Sequence, residues 1–351
     1  YQYNLTVQYE FAPSWVLQLG YVGSHAIHIF PQSGYTELER NQSILASPSN
    51  PVNGITVNTD ANANVRVPYL GFSTAGLFGD FNSQFSKYNS VQATLQKQLS
   101  HGLTFQATYS YSRSFSSATY VNYNDATITP YGLNPLYRPQ RLTLNYHYEL
   151  PFGKHEGLVS KLVDGWSVEG VTIVQDGQPL TPIDTRGAAI YGFGTPSPGE
   201  MSTAEYAAGM GAANVGSTAG GNDQNRLGCA NTLTTCPGGG WFNRAAFGTV
   251  PIVGATPGVA GTGGTGWGNG GLGTILGPGQ FNFDTTIQKR TVVGGLREDA
   301  TLIFRTDFFN TFNHPQFANP TSVDVSTTNF GQISSTSVNP RLMQFSLKYV
   351  F

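Results

Sequence analysis

Nine stretches of this chain alternate between apolar and polar residues. A period of two is the mark of a β-strand with two unlike faces. The pattern is cleanest in residues 341–351. Met343, Phe345, Leu347, Tyr349 and Phe351 point one way there, and Leu342, Gln344, Ser346, Lys348 and Val350 point the other. Such a stretch has the length of a tilted strand crossing a bilayer, roughly 9–11 residues.

The same alternation predicts eight earlier strands. Over 1–10, Tyr1, Tyr3, Leu5, Val7 and Tyr9 oppose Gln2, Asn4, Thr6 and Gln8. Over 15–23 the apolar row is Trp15, Leu17, Leu19 and Tyr21; over 88–99 it is Val91, Ala93 and Leu95. Segment 103–115 carries Leu103, Phe105, Ala107, Tyr109 and Tyr111, and segment 140–150 carries Leu142, Leu144, Tyr146, Tyr148 and Leu150. Segment 165–176 alternates more weakly through Trp166, Val168 and Val174. Segments 280–289 and 299–312 follow, with Phe281, Phe283 and Ile287, and with Leu302, Phe304, Thr306 and Phe308.

The connections predict which end of each strand lies where. Links near 11–14, 100–102, 151–162 and 290–298 are short; those near 24–84, 116–139, 177–279 and 313–340 are long. Compact soluble domains rarely hold structureless loops beyond about 12–15 residues. Barrels of the bacterial outer membrane pair short periplasmic turns with long extracellular loops. With residue 351 set in the periplasm, every short link falls on the periplasmic side.

Charge placement agrees. On the apolar faces the charges are Lys87, Lys97, Arg113 and Lys289, all near strand ends. At the midplane each would cost about 2–4 kcal/mol. The polar faces carry Arg141, Glu149, Glu169, Asp284, Arg305 and Asp307. Tyr9, Trp15, Tyr111, Trp166, Tyr349 and Phe351 near strand ends suit interfacial girdles. Only 11% of residues are charged, against about 25% in soluble proteins, and the net charge of −2 gives nucleic acid nothing to bind. No apolar run approaches the roughly 20 residues of a membrane-crossing helix.

The expected fold is therefore all-β, an antiparallel transmembrane β-barrel in the bacterial outer membrane, with lipid as its first partner. Nine strands are an odd number, and an open edge in lipid leaves backbone groups unpaired. The expectation is that residues 1–351 form the C-terminal part of a larger barrel, or that one further strand escapes the pattern. Tyr1 already stands in a strand, so an export leader is expected to have been removed or to lie upstream.

Motifs with chemistry are few. Cys229 and Cys236, close together in a Gly/Asn/Thr-rich stretch, read as one small disulfide of an oxidising compartment, with a pair of free thiols as the alternative. Gly261–Gly266 and Gly268–Gly273 each fit G-x-G-x-x-G, but the second runs into Thr274-Ile275-Leu276-Gly277-Pro278, which opens no long helix. His25 and His28 are too few for a structural zinc site and read as surface residues at a loop mouth, and His314, before Pro315, reads as a turn residue. No nucleophile elbow or Ser-His-Asp order appears, so no enzyme, metal or cofactor is expected. Trp241, Phe242 and Trp267 lie in the largest loop. Exposed, they could stack on a ligand; buried, they would hold the loop together.

Several segments, in order over nearly the whole chain, resemble the C-terminal half of TonB-dependent outer-membrane receptors. These include Tyr21-Val22-Gly23-Ser24, Tyr88-Asn89-Ser90-Val91-Gln92-Ala93, Leu103 to Ser114, Arg138-Pro139-Gln140-Arg141 and Tyr148-Glu149-Leu150-Pro151-Phe152-Gly153. Gly165-Trp166, Gly177-Gln178-Pro179-Leu180, Trp241-Phe242-Asn243 and Phe308-Phe309-Asn310-Thr311-Phe312-Asn313-His314-Pro315 follow. The type resembled is the Oar-like group with a carboxypeptidase-regulatory-like domain, common in acidobacteria.

The resemblance implies a barrel of about 22 strands around an N-terminal plug, opened by energy from an inner-membrane TonB complex. It implies that Phe345, Leu347, Tyr349 and Phe351 belong to the signal read by the barrel-assembly machinery. Arg305 and Asp307 share the inward face of one strand with Asp284 on its hairpin neighbour; this charged cluster could contact the plug or a substrate, or be no more than a solvated, mutually neutralising wall. No TonB box or plug is found in 1–351, so TonB would act only through an N-terminal part outside this sequence. The expected function is barrel wall and capture loops of a transporter-like protein, importing a ligand too large for porins. A passive porin or adhesin-like barrel is the alternative, and a secreted β-sandwich binding module a third. Nothing in the residues selects among siderophore, oligosaccharide and peptide.

Overall fold

The computed structural model describes residues 1–29, 37–39, 41–74, 77–80, 84–117, 131–153, 155–186, 190–192, 202–216, 240–250, 266–294 and 298–351. Its main element is one antiparallel sheet of nine long strands. They are β1 (Gln2–Ala12), β2 (Trp15–Ile29), β3 (Gln84–Ser100), β4 (Leu103–Ser116), β5 (Gln140–Glu149), β6 (Trp166–Gln175), β7 (Gln280–Val292), β8 (Thr301–Phe309) and β9 (Leu342–Val350). Each pairs with its neighbours in sequence, a plain up-and-down meander. A two-residue strand, Gly132–Leu133, adds to the end of β4.

The register carries the alternation of single strands into two continuous faces. Residues opposite one another in adjacent strands share a face. One such row runs Val7, Leu19, Ala93, Tyr109, Leu142, Val174, Phe281. Another runs Thr306 to Phe345 and Phe308 to Met343. The opposite face runs Gln8, Gln18, Thr94, Thr108, Thr143. A one-residue slip in any pair would turn a polar strand face toward lipid, so the pattern fixes the register.

The apolar face is open to the surroundings: Leu5, Val7, Leu19, Val91, Phe281, Phe304, Phe345 and Leu347 are all exposed. In a soluble sandwich a second sheet would cover them; here the described residues supply none, and lipid takes that place. The polar face is concave. A single hollow of about 710 Å³ is lined from Gln96 on β3 through Asn145 on β5 to Arg305 on β8. Among the described residues no pairing joins β1 to β9, so the barrel is not closed.

Short hairpins follow local chemistry. At His101 and Gly102 φ is +52° and +75°, which gives the twist of a two-residue hairpin turn with Ser100 paired to Leu103. A side chain at Gly102 would also stand 2.9 Å from the Glu149 carbonyl oxygen. Two outward glycines are covered by aromatic rings of the facing strand. A Cβ on Gly23 would fall 2.2 Å from the Tyr3 ring, and one on Gly170 2.4 Å from the Tyr146 hydroxyl. These rings restore the apolar surface that glycine lacks.

Two expectations need correction. β2 and β3 extend well beyond residues 23 and 88, because Ser24 to Ala26 keep pairing down to Ser86 and Ile29 reaches Gln84 past a bulge. His25 and His28 are thus strand residues, not residues of a loop mouth. The short 151–162 link contains a helix, α1 (Gly157–Val163).

Among the described residues, a dry core of the ordinary kind exists only in the loops. Leu180, Ala204, Val215, Trp241, Phe242, Phe317, Val325, Phe330 and Ile333 cluster together, drawn from the long connections after β6 and β8. Phe242 and Phe330 stack at 4.8 Å, and Phe247 meets Phe330 edge-on at 5.5 Å. The loops above the sheet are a packed layer, and the sheet itself relies on lipid outside and on polar contacts inside.

Candidate functional site: the polar inner wall and the loop layer

On the concave face the polar row becomes charged across β5 to β8. His147 Nδ1 lies 3.1 Å from Glu169 Oε1, and its Nε2 is 3.9 Å from Glu149 Oε1. Glu169 Oε2 is 3.7 Å from Arg305 Nη1. Arg305 Nε donates to Asp307 Oδ1 at 2.8 Å, and Thr286 Oγ1 donates to the same oxygen at 2.6 Å. Arg305 Nη2 reaches Thr286 Oγ1 at 3.3 Å. The result is a line of linked side chains across four strands, facing the hollow.

The line is partly exposed, with His147, Glu169 and Arg305 at 32%, 30% and 41% of their side-chain surface. Water therefore screens the pairs, and each contributes about 1 kcal/mol or less. Their value is geometric: a fixed pattern of donors and acceptors on a wall. Around Arg305 the acids Glu169, Asp307 and Asp284 leave an excess of negative charge.

Of the candidates for inner contact, Arg305 and Asp307 are joined directly. Asp284 lines the same hollow but is occupied elsewhere: its Oδ1 accepts from Asn310 N at 2.8 Å and Asn282 Nδ2 at 3.0 Å. It secures the turn after β8, where Asn310 has φ +51°. His314 is part of the same turn, its N–H donating to Asn310 Oδ1 at 3.0 Å. The link from Glu169 to Arg305 was not legible in the sequence. It spans β7, and only a long guanidinium bridges two strand spacings.

For the loop aromatics burial favours the second of the two readings. Trp241, Phe242 and Trp267 are 7%, 0% and 6% exposed, so their rings have no open face to offer a ligand. Trp241 donates through Nε1 to the Leu276 carbonyl at 2.8 Å. Trp267 stacks on Tyr191 at 5.0 Å. They hold the loops together. The described part of the glycine run does the same: a Cβ on Gly268 would sit 2.0 Å from the Thr203 carbonyl oxygen, and no helix follows. Cys229 and Cys236, with Gly261 to Thr265, lie outside the described residues. Phe345, Leu347, Tyr349 and Phe351 are exposed on the outward face.

Arg66 fastens two loops to one another. It is fully buried, and donates to the Ile44 carbonyl (2.6 Å), Asn58 Oδ1 (3.0 Å), Asn62 Oδ1 (2.7 Å), the Thr59 carbonyl (3.1 Å) and the Ile190 carbonyl. Ser43 Oγ to Tyr191 O (3.2 Å) and Thr74 Oγ1 to Gly192 O (3.0 Å) add to the seam. The connection after β2 and the connection after β6 are thereby one body. Among the described residues no three His, Cys, Asp or Glu side chains gather as a metal site.

A meander with an apolar outer face, a polar inner face and long loops at one end only is a transmembrane β-barrel wall. Residues 1–344 match the outer membrane beta barrel domain family, and the chain belongs to it. The protein is accordingly one of the bacterial outer membrane. No curated protein matches the chain. Among solved structures it is similar to BauA, the ferric preacinetobactin receptor of Acinetobacter baumannii, at 10% identity and a TM-score of 0.39. That match covers 99% of this chain and 29% of that one. It is also similar to FpvA of P. aeruginosa, solved with heterologous pyoverdines and iron, at 10% identity and a TM-score of 0.38, covering 99% of this chain and 26% of the other. The chain spans less than a third of either.

Proposed function

We propose that this chain is the wall and loop layer of a TonB-dependent-receptor-like transporter of the Oar-like type. In this reading the complete protein has a larger, plugged barrel and imports a ligand too large for porins. The resemblance of the ordered motifs from Tyr21 to Pro315 supports it. The observation that carries it furthest is the linked line His147–Glu169–Arg305–Asp307 on the inner wall. A wall of oriented, mutually fixed donors and acceptors suits contact with a folded plug.

The loop layer, fastened by Arg66 and filled by Phe242 and Phe330, would present a rigid outer surface for capture. The ligand class follows from nothing in these residues.

The test is conductance. The complete protein, purified from outer membranes and placed in a planar bilayer, should stay closed at moderate voltage. It should open reversibly when mild denaturant loosens the plug. A steady open conductance from the folded protein would reject the transporter reading and leave a passive barrel.

A further inference from the structure

We infer that the outward face of β2 to β4, at its extracellular end, holds a binding site for a phosphorylated glycolipid headgroup of the outer leaflet. A recess of about 270 Å³ lies there, lined by Tyr21, Lys87, Asn89, Tyr111, Arg113 and Tyr131 among others. It is on the lipid side: Tyr21, Val91 and Tyr111 form one outward row across the three strands. It is at the extracellular end, near Gln84 where β3 begins and Ser116 where β4 ends.

Two cations share this recess. Lys87 faces Phe115 and Arg113 faces Asn89, so the two are diagonal neighbours on one face, with Cα atoms about 7–8 Å apart. Both are exposed, and among the described residues neither forms an ion pair with a carboxylate. Like charges so placed repel one another in a medium of low dielectric. An anion between them removes that cost, and a phosphate has the oxygens to accept from both.

The surroundings are built around the cations. The Arg113 guanidinium lies 5.4 Å from the Phe115 ring centre. Phe115 stacks on Tyr131 at 5.3 Å, and Tyr131 on Phe85 at 5.1 Å. This ladder holds the guanidinium in place. Asn89 accepts on Oδ1 from the Tyr3 hydroxyl (3.0 Å) and the Tyr21 hydroxyl (2.8 Å). Two phenol donors fix the amide orientation and leave its Nδ2 hydrogens as donors on a residue that lines the recess. Aromatic walls suit sugar rings; two cations and an amide suit a phosphate. Together they match a phosphosugar anchored by acyl chains, whose chains would lie on the exposed apolar rows below.

The other outward cations behave differently. Lys97 Nζ is consumed by the Ser100 and Leu103 carbonyls at 3.0 and 3.1 Å and the Ser100 hydroxyl at 2.8 Å, and Lys289 Nζ by the Asp164 carbonyl. They sit at the periplasmic end, where turn carbonyls neutralise them. Lys87 and Arg113 have no such acceptors among the described residues.

The test uses the complete protein in detergent, delipidated and titrated with bis-phosphorylated lipid A, with adducts counted by native mass spectrometry. Wild type should retain one lipid A per barrel. The K87Q/R113Q variant should weaken that binding about tenfold or more per cation removed, while K348Q, on the inner face, should not. Heat-modifiable migration verifies that each variant is folded. Equal retention by folded K87Q/R113Q would overturn the site. A second arm needs no variant: dephosphorylated lipid A binding wild type as well as the phosphorylated form would also overturn it. Displacement of the lipid by millimolar inorganic phosphate would assign the site to a free anion and reject the lipid.

Discussion

At the scale of residues, one position can be read from its neighbour across the sheet. Leu144 faces Ala107 and Thr172 in mid-strand on the outward side; Asn145 faces Gln106 and Val171 on the inner side. Leu144→Arg should destabilise the folded barrel by about 2–4 kcal/mol, measured by urea titration in lipid vesicles. Asn145→Arg should cost about 1 kcal/mol or less. Equal costs would mean that the faces are assigned the wrong way round. A second residue-scale prediction concerns pH. Asp164, in the periplasmic link, accepts from His155 N at 2.9 Å and lies 2.7 Å from its Nδ1. The His155 backbone hydrogen bond, then the His155 ring, hold this carboxyl below its ordinary value. A carboxyl depressed in the folded state adds stability that is full above its unfolded value, near pH 3.9, and is lost as pH falls through the lowered one. The protection of the His155 amide, taken relative to its intrinsic exchange rate at each pH, should therefore fall below about pH 4. Asp164→Asn should abolish that acid limb, and an unchanged profile in the variant would refute the link.

At the scale of elements, the two ends of the strands are finished by different means. At the periplasmic end a Trp and a Lys stand opposite one another twice, Trp15 with Lys97 and Trp166 with Lys289. In both the ammonium lies over the ring, at 5.9 and 5.6 Å, and its hydrogens go to turn carbonyls. This lets a lipid-facing strand carry a cation where the membrane ends. Lys289→Glu should lose the ring contact and place a carboxylate against the Asp164 carbonyl, costing roughly 1–3 kcal/mol by urea titration. No change in stability would show that the pair is incidental. The helix α1 sits beside this end, with Leu158 and Leu162 exposed and Trp166 Nε1 donating to the Leu162 carbonyl at 3.1 Å. Its apolar side suits the inner-leaflet interface. The sequence concealed α1 because its seven residues, Gly157–Val163, carry no capping signal.

At the scale of the whole molecule, stability is divided between two places. The sheet is held by backbone ladders and by lipid on its outer face, and the loops by a dry core of their own. Arg66 is the joint between the loop layer's halves. Arg66→Ala would orphan the buried Ile190 carbonyl, take the donor from the part-buried Ile44 and Thr59 carbonyls, and loosen that layer by roughly 2–4 kcal/mol. Hydrogen exchange should speed up in 41–74 and 190–192 together while β3 and β4 stay protected. Exchange confined to 41–74 would show that the two connections are independent.

Alternation with period two determined the strands and their inward and outward residues, because a pleated strand in lipid has no other way to satisfy both faces, and the lengths of the links indicated the periplasmic end. All nine segments that alternate are strands, and Arg305 and Asp307 share the inner wall as their spacing requires. Only the tertiary structure decided what depends on distance in the chain. That Glu169 reaches Arg305 across β7, that Arg66 ties Ile44 to Ile190, and that Trp241, Phe242 and Trp267 are buried cannot be read from spacing. Loop cores obey no period, since irregular backbone gives side chains no common face; their contacts are set by how three long connections fold over one another above the sheet.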